Sequence, residues 1–382
     1  RYECVPMRFI KHVYRIHTYA QDGRLFEGKT PVSAFLNSSY DGSFIAGLME
    51  LRYIQSLPVE RIINYFESHG FTLKKPTAHK LMEKASSLFE NLYKCIRQTA
   101  LSDPYKAADE TYYKILVPEK NSKGKGVRKG YLWVVVGINT RMIYLLYDDG
   151  SRSEKVILNE LGGCKGIIQS DGYSPYRKLE SDAYPHITRI PCLQHIKRKF
   201  IDCGEDEPDA KRIVELINTL YQNEHKHKIG VDGWTVEQNL VHRKKYAPDI
   251  LGEIKDVLDD IEERGDLLPK SELKEAITYL RNEWNAVVDI FNYGDTYLDN
   301  NIVERMNRYI SLSRKNSLFF GSHKGAERGA ILYTIALTCR MNKVNLFEYL
   351  TDVINRTAEW QPNTPLEKYR QLLPDRWEKA ND

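Results

Sequence analysis

One short segment near residue 300 combines the residue types that phosphoryl chemistry requires. The sequence from Asp299 to Ser322 is DNNIVERMNRYISLSRKNSLFFGS, and the spacing of its apolar residues predicts a helix capped by Asp299. Glu304 lies on the polar face of this helix, where it could bind a hard cation such as Mg²⁺. Taken alone, the segment is also compatible with a surface helix that has a solvated charged face. Its apolar positions, which we expect to face a core, are Ile302, Val303, Met306 and Ile310.

Basic side chains that could bind phosphate groups form local clusters, although the net charge of the chain is only +4. One cluster lies in the sequence CLQHIKRKF, and a second lies on and after the Glu304 helix. A third lies in a helix that begins near Pro76, after a short helix and a turn. This outline is that of a helix-turn-helix, although a plain helical bundle also explains it. The candidate DNA contacts are His195, Lys197, Arg198, Lys199, Arg305, Arg308, Arg314, Lys315, Asn316, Lys75, His79 and Lys80.

Two aspartates lie on or immediately after predicted strands. Residues 107–117 read as a strand, and because strand side chains alternate, Asp109 and Glu110 point to opposite faces. Only one of these two can therefore be in a given site. The strand at 166–170 is followed by Asp171, at the carboxyl end where α/β sheets place chemistry. The alternative role for Asp171 is a cap on the short helix that follows.

Cys192 and His195 have the spacing of half a zinc site, but no second pair lies nearby, so a four-ligand zinc site is not expected. His195 is instead expected to touch a phosphate backbone or to position a catalytic group. The six cysteines include no C-x-x-C pair, which fits a reduced cytoplasmic protein. No apolar run reaches membrane-spanning length, and no signal peptide opens the chain. Because the first residue is Arg1, we expect the natural start to lie upstream.

The order of the predicted elements indicates an α/β fold. Further strands are predicted at 131–138, 142–147 and 185–191. Helices are predicted from residue 43 and at 58–70, 76–99, 151–161, 209–284, 325–339 and 345–360, the last of them docked outside the core. Ahead of these elements, 7–20 reads as a strand that ends in a turn at Asp22-Gly23, and 28–39 reads as a linker.

The 382 residues are too many for one small domain, so we expect several packed units. The predicted segments are a strand-like remnant and linker (1–35), a helical, helix-turn-helix-like DNA-binding domain (36–100), the first part of the catalytic domain (101–193), a helical insertion (194–292), the second part of the catalytic domain with the glutamate helix (293–345) and a C-terminal helical tail (346–382).

A carboxylate on the first strand of the sheet, another after the fourth strand and a glutamate on a helix after the fifth form a ribonuclease H-like arrangement. The residues around these positions closely resemble the DDE transposases of the insertion sequence 66 family. The matching blocks are DET at 109–111, QSDGYSPY at 169–176, CLQHIKRKF at 192–200, LRNEW, DNNIVERMNR and LSRKNSLFFGS. The resemblance extends from about residue 36 to residue 360.

The resemblance implies a ribonuclease H-like mixed sheet flanked by helices, with an N-terminal helical domain and a helical insertion before the glutamate helix. It also implies that the catalytic, metal-binding residues are Asp109, Asp171 and Glu304. We expect them to hold two Mg²⁺ ions, for which Mn²⁺ should substitute. The expected reaction is cleavage of transposon ends, followed by attack of the freed 3′-hydroxyl on target DNA. Positioning roles are assigned to Cys192, Asn300 and Asn301.

The expected partners are the terminal-repeat DNA of the element, target DNA and at least one further copy of the chain, because two ends must be brought together. Accessory proteins of the same element are further candidates, and no membrane is expected. We expect the protein to act at the nucleoid of a prokaryotic cell, with specific end recognition by residues 43–98. Family members usually carry a cysteine zinc-binding segment near the front. Here Tyr19, Ala20 and Gln21 stand where its last cysteine pair would be, so zinc binding is not carried over.

Two other classes use parts of the same residue set. A ribonuclease H-like nuclease or resolvase would use the same three carboxylates but would cut DNA without joining it. A non-catalytic regulator descended from such an enzyme would keep the basic residues and lose acidic ones. All three carboxylates are present in this chain.

Overall fold

The structure is a computed structural model that describes residues 1–28, 33–35, 38–120, 124, 126–361 and 363–379. Its first regular element is an exposed antiparallel hairpin of β1 (Thr18–Gln21) and β2 (Arg24–Glu27). The turn residues Asp22 and Gly23 have φ values of 50° and 73°, as a tight two-residue hairpin turn requires. The predicted turn is therefore confirmed, but the strand predicted from residue 7 begins only at Thr18. The predicted linker lies partly outside the described residues.

Four helices follow and share one hydrophobic core with the central sheet. They are α1 (Gly42–Met49), which continues as a π-helical turn (Glu50–Ile54), α2 (Val59–Ser68), α3 (Lys75–Leu88) and α4 (Glu90–Ser102). Asp41 caps α1, because its Oδ1 accepts a hydrogen bond from the N–H of Phe44 at 3.0 Å. One helix was predicted from residue 76 to residue 99, but the chain breaks at Phe89, whose fully buried side chain anchors the bend between α3 and α4.

Five strands form a mixed sheet at the centre of the molecule. They are β3 (Tyr105–Leu116), β4 (Val127–Gly137), β5 (Met142–Leu146), β6 (Gly166–Ser170) and β7 (Ile187–Pro191), in the spatial order β5-β4-β3-β6-β7. The strands β3, β4 and β5 pair antiparallel, whereas β6 runs parallel to β3 and β7 runs parallel to β6. All five strands predicted for this sheet are present. The predicted mixed α/β architecture is thus confirmed.

Helices cover both faces of the sheet and build a second core at one end. The shorter ones are α5 (Glu154–Leu161), α6 (Ser174–Arg177) and α7 (Leu193–Ile201). The second core is formed largely by α8 (Pro208–Glu224), α9 (Val236–Arg264) and α10 (Glu272–Ile290) packed against α7 and the β7 edge of the sheet. The helical stretch predicted at 209–284 is therefore present as three helices, α8, α9 and α10.

Four further helices complete the chain. They are α11 (Asn301–Asn316), α12 (His323–Met341), α13 (Leu346–Thr357) and α14 (Leu366–Arg370). The apolar face of α11 packs inward as predicted, with Val303 and Ile310 fully buried. Its cap was predicted one residue too early, because Asn300 is the N-cap and Asp299 instead accepts the N–H of Asn301 at 3.1 Å.

The prediction that α13 docks outside the core is wrong. Its apolar stripe, which includes Tyr349, Leu350 and Val353, is fully buried in the core that holds the sheet. The helix packs against α1, and a Cβ atom at Gly42 would lie 2.6 Å from Asn355 Oδ1. The glycine therefore permits this close approach of α1 to α13. In the part of the chain that the structure describes, no helix is long and apolar enough to cross a membrane.

Candidate active site

The two predicted catalytic aspartates lie side by side at neighbouring parallel strands. The register of β3 and β6 pairs Ala107 with Gln169, and continuing it by two residues on each strand brings Asp109 level with Asp171. Residues that are level in paired strands project on the same face of the sheet. Asp171 Oδ1 accepts the N–H of Tyr173 at 3.1 Å, two residues ahead of it, and no side chain caps α6. Asp171 therefore makes a local turn rather than the helix cap considered as its alternative.

The polar face of α11 lies against the part of β3 that carries Asp109. Asn300 Nδ2 donates to the carbonyl oxygen of Ala108 at 3.0 Å, and Asn307 Nδ2 donates to Asp109 Oδ2 at 2.6 Å. Glu304 lies between these two asparagines at helical spacing, so it occupies the same face of α11. The structure thus brings Glu304 to the strand that carries Asp109, although the two residues are far apart in sequence.

The environment of Asp109 is strongly unfavourable to its charge in the absence of a cation. The pKa of Asp109 is raised to about 8, first by burial and then by the neighbouring carboxylates of Glu110 and Asp171, while hydrogen bonds from Glu110 N–H and Asn307 act in the opposite direction. Buried like charges disfavour ionisation unless an opposite charge is close. A divalent cation would supply that opposite charge, and carboxylate oxygens are the ligands that Mg²⁺ prefers.

The pKa of Asp109 makes a testable prediction for the metal-free protein. In the folded state this carboxyl keeps its proton up to about pH 8, whereas in the unfolded chain it loses the proton near its ordinary value of 3.8. The folded state therefore loses stability as pH rises between these values, by at most about 1.4 kcal/mol per pH unit. We expect Asp109→Asn to raise the melting temperature in EDTA at pH 9 and to change it little at pH 4.

Thermal unfolding followed by circular dichroism measures this effect. The matched control is Asp182→Asn, because Asp182 is exposed on the surface. An Asp109→Asn protein that melts at the wild-type temperature at pH 9 would contradict the assigned pKa and its cause.

Glu110 occupies the opposite side of β3, as the alternation of strand side chains predicts. Its side chain is 5% exposed, and its carboxylate forms an ion pair with Arg152 at 2.5 Å. The Tyr176 hydroxyl donates to the same carboxylate at 3.3 Å. Burial raises the pKa of Glu110, whereas the hydrogen bond from Arg152 lowers it. Glu110 therefore has its own charge partner, and Asp109 is the acid of this pair that faces α11.

The buried ion pair of Arg189 and Glu283 contacts the backbone of Asp171. Arg189 on β7 donates to the carbonyl oxygen of Asp171 at 2.8 Å and to Ser170 Oγ at 3.1 Å. The same guanidinium pairs with Glu283 on α10 at 2.5 Å, and the side chains of both residues are 0% exposed. The Gly172 N–H also donates to the Tyr279 hydroxyl at 2.8 Å. The helical insertion thus holds the backbone on which Asp171 stands.

Asn307 contacts Asp109 directly, but it was not predicted from the sequence as a site residue. Its place on the Glu304 face was visible from the helical period, but the sequence could not show that this face meets Asp109. Because a hydrogen bond to a carboxylate contributes about 1.5–3 kcal/mol, we expect Asn307→Ala to lower the DNA-joining activity that the sequence resemblance implies by about tenfold. The pH profile of the activity should also shift to higher pH, because this hydrogen bond lowers the pKa of Asp109.

The control for Asn307→Ala is Ser311→Ala on the same helix, whose hydroxyl bonds only the backbone oxygen of Arg308. Both variants are assayed over a range of pH under identical conditions. Unchanged activity and an unshifted profile in Asn307→Ala would remove Asn307 from the site.

Cys192 and His195 meet Glu304 where the first turns of α7 and α11 converge. Among the described residues, the one set of three acidic, cysteine or histidine side chains with all ligand atoms within 4.8 Å of one another is Cys192, His195 and Glu304. His195 Nδ1 lies 3.8 Å from Glu304 Oε1, and the N–H of Asn300 donates to Cys192 Sγ at 3.2 Å. Asp109, Asp171 and Glu304 do not form such a set in this conformation. The predicted positioning residues Cys192 and Asn300 therefore link α7, α11 and β3, whereas the side chain of Asn301 is exposed.

Some of the predicted phosphate contacts are exposed to solvent, and others already contact groups within the protein. Arg314 stacks on Tyr112 with 3.9 Å from its guanidinium carbon to the ring centre and donates to the Tyr112 carbonyl oxygen, and Asn316 donates to the Ser56 carbonyl oxygen. Lys75 forms an exposed ion pair with Glu60. The exposed side chains are Arg198, Lys199, Arg305, Arg308, Lys315, His79 and Lys80, and Lys197 is half-buried beside Tyr221.

An open cavity of about 340 Å³ adjoins Asp171. Its wall combines this carboxylate with three side chains of the predicted DNA-contact set, His195, Arg198 and Lys199. Arg152 and Tyr173 form another part of the wall, with the Arg152 guanidinium 4.1 Å above the Tyr173 ring. The cavity therefore places cationic and aromatic groups beside the carboxylates, as a site for a phosphate and its nucleotide requires.

The mixed sheet, with Asp109 on β3 and Asp171 directly after the neighbouring strand β6, defines an α/β protein whose candidate site lies at its inner strands. The chain belongs to the transposase IS66 family, whose model it matches over residues 37–328. The family that the matching sequence blocks indicated is thus confirmed.

Three proteins of Sinorhizobium fredii (strain NBRC 101917 / NGR234) are similar to this chain. Uncharacterized protein y4jD is 26% identical, and the match covers 87% of this chain and 65% of that protein. Uncharacterized protein y4hP is 24% identical over 99% of this chain and 70% of that protein. Uncharacterized protein y4qI is 26% identical over 96% of this chain and 69% of that protein. The chain thus spans about two thirds of the length of these relatives.

Proposed function

We propose that this protein is a transposase that cleaves the ends of its element and joins the freed 3′-hydroxyl to target DNA. The observation that carries the proposal is that Asn307, on the Glu304 face of α11, donates to Asp109 beside Asp171 in a chain of the transposase IS66 family. The strand order β5-β4-β3-β6-β7 further supports a ribonuclease H-like catalytic domain. Such a site needs oxygen ligands, nearby cations for phosphate and a rigid support, and the described residues supply all three.

The proposed cofactors are two Mg²⁺ ions, or Mn²⁺ in their place. Asp109 would be the shared ligand, Asp171 would hold one ion and Glu304 the other. Two observations fit this donor set: Asp109 is crowded by other carboxylates, and Glu304 Oε1 is buried without a hydrogen-bond partner. Bound in this way, the ions would activate the attacking oxygen and stabilise the leaving oxygen.

The residues of this chain have distinct proposed tasks around that centre. Asn307 orients the Asp109 carboxylate, and Arg189 fixes the backbone of Asp171. In the active form the Glu304 carboxylate turns from His195 toward Asp109. Arg198 and Lys199 hold the DNA backbone beside Asp171, and these contacts carry no sequence preference of their own.

End recognition is proposed for the helices before the sheet, with α3 entering a major groove through its exposed side chains, including His79 and Lys80. Because two ends must be joined, we propose that the active form contains at least two copies of the chain. The second core, built by α8, α9 and α10, is a candidate surface for that contact. Accessory proteins of the same element are further candidate partners, and the proposed site of action is the prokaryotic nucleoid.

A strand-transfer assay tests the proposal. A labelled duplex that carries the terminal repeat of the element is mixed with the protein, a supercoiled target plasmid and Mg²⁺. We expect end cleavage and covalent joining of the label to the plasmid, with Mn²⁺ also active and EDTA abolishing both steps. Cleavage without joining would identify a nuclease or resolvase instead. Binding without cleavage would identify a regulator that has lost catalysis.

A further inference from the structure

The mechanism proposed above uses Glu304 but leaves Cys192 and the imidazole of His195 without a chemical task. These two residues lie at the start of α7, and Glu304 lies at the start of α11. Cys192 follows β7 and is the N-cap of α7, His195 lies in the first turn of α7, and Glu304 lies in the first turn of α11. The backbone links the two helix starts directly, because the N–H of Leu193 donates to the carbonyl oxygen of Leu298 at 2.9 Å. The three side chains are therefore held by fixed backbone rather than by flexible loops.

Two polar atoms in this group lack partners in the described structure. His195 Nδ1 and Glu304 Oε1 are both buried at the atom level and accept or donate no hydrogen bond. They lie 3.8 Å apart, which is too far for a hydrogen bond between them. Two ligands of one tetrahedral Zn²⁺, each about 2.0–2.1 Å from the ion, lie about 3.4 Å apart, so a small movement would seat a cation between these atoms. Leaving both atoms unpaired costs free energy that a shared cation would remove.

The sulfur of Cys192 completes a ligand set that differs in kind from the catalytic carboxylates. Cys192 is 1% exposed, and its Sγ accepts the N–H of Asn300 at 3.2 Å. This N–H would stabilise a thiolate once a metal ion replaced the proton of the thiol. The side chains of His195 and Glu304 are 29% and 30% exposed, so an ion can enter from their side.

We infer that Cys192, His195 and Glu304 form a site for a thiophilic divalent cation of the Zn²⁺ type, and that its occupancy withdraws Glu304 from the catalytic carboxylates. A thiolate, an imidazole and a carboxylate form a set that Zn²⁺ takes in proteins with a fourth position left to water, whereas Mg²⁺ prefers oxygen ligands alone. The Glu304 carboxylate cannot be a ligand of this cation and of the catalytic Mg²⁺ ion at the same time. Zinc therefore inhibits the enzyme by competing for this residue. The binding half of the inference stands by itself, and the inhibitory half rests on the proposed transposase function.

Cobalt substitution tests the binding half without any activity assay. The full chain, freed of metal and kept reduced by a phosphine, is titrated with Co²⁺ while its absorption spectrum is recorded. We expect a near-ultraviolet thiolate-to-cobalt band together with the visible bands of tetrahedral Co²⁺, both removed by added Zn²⁺. Cys192→Ser should abolish the thiolate band, and His195→Ala should weaken Co²⁺ binding by more than about tenfold. Cys203→Ser is the matched control, because Cys203 lies just after the same helix and should leave the spectrum unchanged.

The absence of a thiolate band in the wild-type protein, or its persistence in Cys192→Ser, would overturn the inference. Circular dichroism confirms that each variant is folded. If Cys192→Ser fails to fold, the loss of Co²⁺ binding in His195→Ala still tests the inference, because His195 is partly exposed and its replacement should not prevent folding.

The inhibitory half is tested in the strand-transfer assay by comparing the activity of each protein with and without Zn²⁺. Wild-type joining in excess Mg²⁺ should fall by more than about tenfold on addition of micromolar Zn²⁺, and the ratio of activities with and without Zn²⁺ should approach one in Cys192→Ser. Equal inhibition of both proteins would overturn this half. If the cobalt bands appear but no protein joins DNA under any condition, the metal site stands and the proposed function fails.

Discussion

Asp109→Asn is expected to reduce strand transfer by about a thousandfold or more, equivalent to at least ~4 kcal/mol of lost transition-state stabilisation. The substitution keeps the size of the side chain and its contact with Asn307 but removes the charge that would bind both metal ions. Asp171→Asn and Glu304→Gln should cause losses of similar size. Because the three carboxylates act as one unit, combining two of these substitutions should add little to either one.

The matched control for Asp109→Asn is Glu110→Gln, one residue away on the same strand. Glu110 is paired with Arg152 rather than with α11, and glutamine can still accept the Arg152 hydrogen bond, so the loss should be less than about tenfold. Both proteins are assayed for joining with terminal-repeat DNA and for DNA binding by gel shift. Binding should be near wild type for both. Near-normal joining by Asp109→Asn, or a larger loss in Glu110→Gln, would refute the assignment of Asp109.

Arg189→Ala is expected to destabilise the protein by about 3–5 kcal/mol, the largest effect on stability that we predict for a single substitution. Removing the guanidinium leaves the fully buried Glu283 with only the longer 3.9 Å ion pair to Arg177. It also removes the donors to the Asp171 carbonyl oxygen and to Ser170 Oγ. Any protein that remains folded should therefore join DNA poorly, because the backbone that carries Asp171 has lost its support.

Two further variants separate the charge effect from the positioning effect. Arg281→Ala on α10, the helix that carries Glu283, removes an arginine whose partners, Asp259 and Glu262, are partly exposed, and it should cost only up to about 1 kcal/mol. The double variant Arg189→Met/Glu283→Leu removes both buried charges and should recover most of the stability. It should not recover activity, because methionine donates no hydrogen bond to Asp171. Urea unfolding and the joining assay measure these outcomes, and full activity of the stable double variant would contradict a positioning role for Arg189.

The sheet and the residues on it could be predicted from the sequence for a physical reason. The central strands are buried on both faces, so they appear as apolar runs such as YLWVVVGI, and short turn residues separate them. Asp109 and Asp171 were found because each interrupts or follows such a run. The order of the strands and the apolar period of α11 then placed Glu304 on a helix after the fifth strand.

Other features depend on contacts between distant segments, which local periodicity does not contain. The break at Phe89 lies within a continuous helical period, and the burial of α13 depends on its contact with α1. The hydrogen bond from Asn307 to Asp109 and the buried pair of Arg189 and Glu283 are likewise visible only in three dimensions. The third member of the Cys192 and His195 group was missed because zinc spacing rules consider neighbours in sequence, and Glu304 reaches the group through the fold.

The central claim is that Asp109, Asp171 and Glu304 together hold a pair of divalent ions on the DNA. A crystal structure of the protein with terminal-repeat DNA and Mn²⁺ tests this most directly, because anomalous scattering locates the ions independently of the protein atoms. We predict two peaks about 3.5–4 Å apart, one between Asp109 and Asp171 and the other between Asp109 and Glu304. Manganese bound without Glu304, or the scissile phosphate located away from Asp109 and Asp171, would contradict the account.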